Sequence, residues 1–89
     1  MNDKLRDDIA NNFSNTELGF LRIRKNLEVN HLTDLETEEL LKEIILLTSL
    51  KDIKKKGKNY YFNCSRKNAI LTINSFTLTV ITAKQIIKN

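Results

Sequence analysis

The stretch that most constrains this chain is Ala69 to Lys84, AILTINSFTLTVITAK, because two β-rich runs flank Asn74-Ser75. An Asn-led pair between such runs suits the left-handed geometry that closes tight hairpins. With a two-residue loop there, Ile73 faces Phe76, Leu71 faces Leu78 and Ala69 faces Val80 as one apolar face. Ile70, Thr72, Thr77, Thr79 and Ile81 then share the other. A slip of one residue mixes the two sets, so pattern and turn specify one register.

The preceding residues read as helices. Leu5, Ile9 and Phe13 recur four apart, and Asp7 and Asp8 suit the positive end of a short amphipathic helix over residues 3–13. Ser14 and Glu17 have capping-box spacing, predicting a second helix from about Asn15 to Leu27. Its inner face carries Phe20, Ile23 and Leu27; Leu18, Leu21, Arg22 and Lys25 lie opposite, available to another chain or a ligand. Thr33 and Glu36 repeat the spacing before a third helix, Asp34 to Thr48, whose stripe of Leu40, Leu41, Ile44, Ile45 and Leu47 is expected to lie over the sheet.

From Leu50 the pattern changes. A short basic strand, a turn at Gly57 and a strand with Tyr60, Phe62 and Cys64 on one face lead to a turn at Ser65-Arg66-Lys67-Asn68. The expected fold is therefore α+β: N-terminal helices, then a four-stranded antiparallel meander, in one domain over residues 1–89. Gln85 to Asn89 forms a tail in which Ile86 and Ile87 are candidates for packing.

Size and charge narrow the roles. Eighty-nine residues at 40% apolar content can bury only a small core, so dimerisation would help. One cysteine forbids an internal disulfide, and no basic-then-apolar export signal opens the sequence; a reducing cytoplasm is the expected home. The longest apolar run, Ile44 to Leu47, is far short of the roughly 20 residues that cross a bilayer, so a spanning role is excluded. The net charge of +4 is unevenly divided: residues 1–50 hold six Lys or Arg against ten Asp or Glu, residues 51–89 nine against one. Such asymmetry points to an anionic partner, although lysines also keep sheet edges from pairing.

No catalytic residues, metal ligands or cofactor are predicted. His31 stands in a connection without Cys, Asp or Glu at ligand spacing, and Cys64 on a strand's apolar face behaves as a small hydrophobe. Asp34, Glu36, Glu38, Glu39 and Glu43 read as the solvated side of the third helix. With Gly19 and Gly57 the only glycines, phosphate-loop nucleotide hydrolysis is out. The polar groups expected to converge are Arg22, Lys25 and Asn26 from the second helix with Lys58, Asn59, Tyr61, Asn74, Thr82 and Lys84 from the sheet. Guanidinium and ammonium groups hold phosphate, and tyrosine adds a stacking surface. Taken singly, the asparagines serve turns and the lysines are solvated.

Gly19-x-x-Arg22-Ile23-x-x-Asn26-Leu27, Gly57-Lys58-Asn59-Tyr60-Tyr61, and Leu71-Thr72-Ile73-Asn74 with Ile81-Thr82-Ala83 together resemble a small bacterial family catalogued as a domain of unknown function. The resemblance runs from about Thr16 to Lys84. In that family a histidine often follows the Thr-Ala pair; here Lys84 stands there. The resemblance implies no activity. The leading expectation is a non-enzymatic cytoplasmic binding domain for a phosphate-bearing partner, a nucleotide signal or RNA, acting by sequestration as phage counter-defence proteins do. The alternatives are a toxin-like ribonuclease using Arg22, Lys58 or Lys84 to stabilise phosphate charge, and an inhibitor or antitoxin-like module that grips another protein. The Thr-rich sheet face, with Ile70 and Ile81, is expected to carry either the contact of a homodimer or a ligand or partner.

Overall fold

The computed structural model describes residues 1–88. Three helices come first: α1 Asp3–Asn12, α2 Glu17–Leu27 and α3 Asp34–Leu47. A 3₁₀ turn then leads into strands β1 Ile53–Lys56, β2 Asn59–Cys64, β3 Ala69–Asn74 and β4 Val80–Gln85. The strands form an antiparallel sheet in the order β1-β2-β3-β4, so the α+β meander expected from sequence is the observed architecture.

Local chemistry sets the helix starts. Asn2 caps α1 by accepting from the Leu5 amide at 2.8 Å. Thr33 and Glu36 form the anticipated capping box, each side chain accepting the other's backbone N–H. The start of α2 differs from expectation. Thr16, not Ser14, is its cap, accepting from the Gly19 amide at 2.9 Å. Ser14 is committed elsewhere: its N–H donates to Leu78 and its C=O accepts from Val80, both at 3.0 Å, in a parallel bridge beside β4.

The core lies between the helices and one face of the sheet. Leu41, Ile44 and Ile45 of α3 and Ile23 and Leu27 of α2 are buried with Ile53, Phe62, Leu71, Ile73, Val80 and Ala83. The cover is shared: α3 packs on β2 and β3, α2 runs along β4, and α1 packs on α3. The third helix alone is therefore not the lid. Leu18 and Leu21 are exposed on the outer side of α2, as its periodicity implies.

Between β1 and β2, Lys56 pairs with Asn59 around Gly57-Lys58. Gly57 has φ of +60°, as a glycine-first two-residue hairpin loop requires. The β3–β4 connection overturns the expected tight turn at Asn74-Ser75. The Asn74 side chain accepts from the amides of Phe76 and Thr77, and its C=O accepts from Leu78, which takes φ of +58°. This asparagine turn widens the loop to Ser75–Thr79. Ile73 consequently pairs with Val80, Thr72 with Thr82, Leu71 with Ala83 and Ile70 with Lys84, with an irregularity between Thr72 and Ile73. Phe76, expected on the apolar face, is 77% exposed at the loop tip. Val80 lies over the core and Ile81 outside, as expected, while the irregularity turns Ala83 inward as well. Ile86 and Ile87 are also exposed rather than packed, and Asn89 lies outside the described residues.

Candidate functional site

Register alone assigns the face turned away from the helices. Lys54, Tyr61, Thr72 and Thr82 stand in one line across the four strands. On one side of that line lie Lys56, Asn59 and Asn74; on the other, Asn63, Ile70 and Lys84. Lys54, Lys56, Asn63 and Lys84 are exposed, Tyr61 and Thr82 are half-buried, and Thr72 is buried between its neighbours.

Where α2 runs beside β4, its outer residues meet this face along the strand edge. One cleft of about 520 Å³ is lined by Lys25, Asn26, Glu28, Thr82, Lys84, Gln85 and Lys88. A second, of about 240 Å³, includes Arg22, Asn26, Thr82, Gly19, Leu18 and Ile81. The two share Asn26 and Thr82. Five of the nine expected site residues thus meet along the α2–β4 edge: Arg22, Lys25, Asn26, Thr82 and Lys84. The i, i+4 step of a helix puts Arg22 and Asn26 on one face, and strand alternation puts Thr82 and Lys84 on one side.

The remaining four lie elsewhere on the sheet. Tyr61 is separated from Thr82 by Thr72, and Asn59 pairs with Asn74 nearer the loop end. The Asn74 side chain is occupied in its turn. Lys58 sits in the β1–β2 turn, its C=O accepting from the Ser75 amide at 2.7 Å. Strand rise and spacing put its backbone about 19 Å from that of Lys84. The nine residues therefore lie along one surface and do not ring a single pocket.

Charge in the larger cleft is mostly uncompensated. Among the described residues, ion pairs engage Arg6 with Asp3 and Asp7, Arg24 with Asp34, and Lys67 with Glu43. Arg22, Lys25, Lys84 and Lys88 are in none of these. The one carboxylate in the larger cleft, Glu28, accepts from Gln85 Nε2 at 3.5 Å. Gln85 Oε1 is buried and has no hydrogen-bond partner. Glu28 itself holds φ of +60° at the C-terminal cap of α2, where glycine is favoured. Three ammonium groups against one carboxylate suit a ligand that brings negative charge.

Sequence reasoning missed Gln85, Glu28 and Lys88. Gln85 and Lys88 gave no periodic signal, since the misplaced hairpin register left them in a tail, and Glu28 is drawn into the cleft only by the packing of α2 on β4. Cys64 is buried and free, and His31 is exposed in the α2–α3 connection. Among the described residues no group of three or more His, Cys, Asp or Glu side chains could hold a metal. No helix there is long and apolar enough to cross a membrane.

The fold and its edge cleft define a small α+β domain with a cation-rich surface. The chain belongs to the family described as a protein of unknown function, DUF3781, whose model matches residues 8–84. No curated protein and no solved structure matched.

Proposed function

We propose that this protein is a non-enzymatic binding domain for a phosphate-bearing partner, a nucleotide or RNA, held at the α2–β4 cleft. The observation that carries the reading is the meeting of Lys25, Lys84 and Lys88 with Asn26 and Thr82 in one cleft that holds a single carboxylate. The ammonium groups attract phosphate, and the Thr82 hydroxyl and Asn26 amide orient it. The groups in the cleft hold charge; its carboxylate is already turned to Gln85. Such a domain acts by sequestering its ligand. The buried free thiol of Cys64 suits a reducing cytoplasm.

Mass spectrometry of small molecules and RNA released by heating the purified protein tests this reading. A co-purified phosphorylated species supports it, as does AMP binding that weakens about tenfold in Lys84→Ala. A protein that releases nothing and ignores both AMP and RNA contradicts it. RNA cut during incubation would instead favour the ribonuclease reading.

Pairing of two copies through the Thr-rich outer sheet face is the alternative use of that face. On that face Ile81 is more than half exposed and Ile70 half-buried, an apolar cost that a second copy would relieve. Light scattering at the monomer mass across concentrations would remove this element.

A further inference from the structure

Resting on the reading above, we infer that the phosphate-bearing partner is single-stranded RNA, laid across the open sheet face from the α2–β4 cleft to the tip formed by the β1–β2 and β3–β4 turns. Lys84 marks one end of this track and Lys58 the other. Their backbones are about 19 Å apart, too far for one phosphate to engage both, and a fit for on the order of four nucleotides.

Aromatic rings stand along the same path. Tyr61 lies midway, flanked by Lys54 and Thr72 in the strand register. Phe76 lies at the tip, 77% exposed, yet its loop is held in place. The Asn74 side chain accepts its amide at 2.8 Å, and the neighbouring Ser75 amide donates to Lys58 C=O. A large apolar ring presented to water on an ordered loop beside a lysine is costly as a solubility device and suited to stacking a base. Lysines on the edge strands β1 and β4 also deter edge pairing, but edge protection accounts for neither ring. The amide of Asn63 and the hydroxyl of Thr82 on this face can pair with ribose 2′-hydroxyls, which selects RNA over DNA.

Fluorescence anisotropy with labelled oligouridylates of one to eight nucleotides tests the inference. Affinity should rise with length to about four nucleotides and then level, with log K against log salt falling at a slope of about −2 to −3. Phe76→Ala and Tyr61→Ala should each weaken the octamer about tenfold, while Tyr61→Phe, which keeps the ring and the fold, should bind as the parent does. UMP binding as tightly as the octamer would overturn the inference and leave the cleft reading standing. Absence of binding to UMP and to every oligomer would remove both. Equal affinity for the deoxy octamer, or equal competition by polyglutamate, would overturn the assignment to RNA.

Discussion

Replacing Ile44 by alanine measures how firmly α3 is seated. Ile44 is 1% exposed and shares the core with Leu41, Ile45, Phe62 and Leu71. Removing its outer carbons forfeits burial and leaves a cavity, together about 2–5 kcal/mol, offset only slightly by alanine's better helix propensity. A chain of this length has a total stability of roughly 4–13 kcal/mol, so the loss is a large fraction. With a urea dependence of about 1 kcal/mol per molar, the midpoint of far-ultraviolet circular dichroism unfolding should fall by about 2–5 M. Leu35→Ala, on the same helix but 67% exposed, should move it by no more than about 0.5 M. Ile44→Val should cost about 0.5–1.5 kcal/mol, and Ile44→Asp, which buries an unpaired carboxylate, should leave the chain unfolded and protease-sensitive. Coincident midpoints for Ile44→Ala and Leu35→Ala would refute the placement of α3.

Other perturbations follow from single contacts. Thr33→Ala removes the cap of α3 and should cost about 1 kcal/mol by urea unfolding. Backbone and side-chain hydrogen bonds with Thr33, with a smaller contribution from nearby His31, hold the Glu36 carboxyl below its ordinary value. Because the folded value is the lower one, the stabilisation is present above the unfolded carboxylate pKa and is lost as pH falls through the folded value. Glu36→Gln should therefore flatten the acid limb of a stability-against-pH profile, and an unchanged limb would contradict the assignment. Gly57→Ala places a side chain at φ of +60° with open space around it, so the expected loss of about 1 kcal/mol is conformational alone. Glu28→Gly relieves the left-handed cap and removes the carboxylate from the cleft; the melting temperature should hold or rise and AMP affinity should increase. Weaker AMP binding in that variant would show that Glu28 helps to hold the ligand.

The helices were legible because each carried its own evidence: apolar spacing in α1 and α3, and the Thr33–Glu36 box. Ser14 misled because its spacing to Glu17 is right for a cap while its backbone is spent on Leu78 and Val80, far along the chain. Strand identity was legible from β-branched runs, but the β3–β4 register was not. Asn74 can close a two-residue loop or cap a wider one; burial of Val80 and Ala83, with the left-handed Leu78, decides for the wider. That slip left Gln85 and Lys88 out of the expected site. Strict alternation from the inward Val80 would turn Thr82 and Lys84 toward the core; the irregularity in the β3–β4 pairing brings them to the outer face, and Arg22, Lys25 and Asn26 share the outer side of α2. Their meeting depends on α2 running along β4, a long-range fact with no local signature.

Amide chemical shifts of the ¹⁵N-labelled protein during titration with AMP test the central claim most directly. The account predicts saturable changes concentrated at Lys25, Asn26, Thr82, Lys84 and Gln85, shrinking as salt is raised. Changes confined to α1 and the acidic side of α3, or no saturable change at any residue, would contradict it.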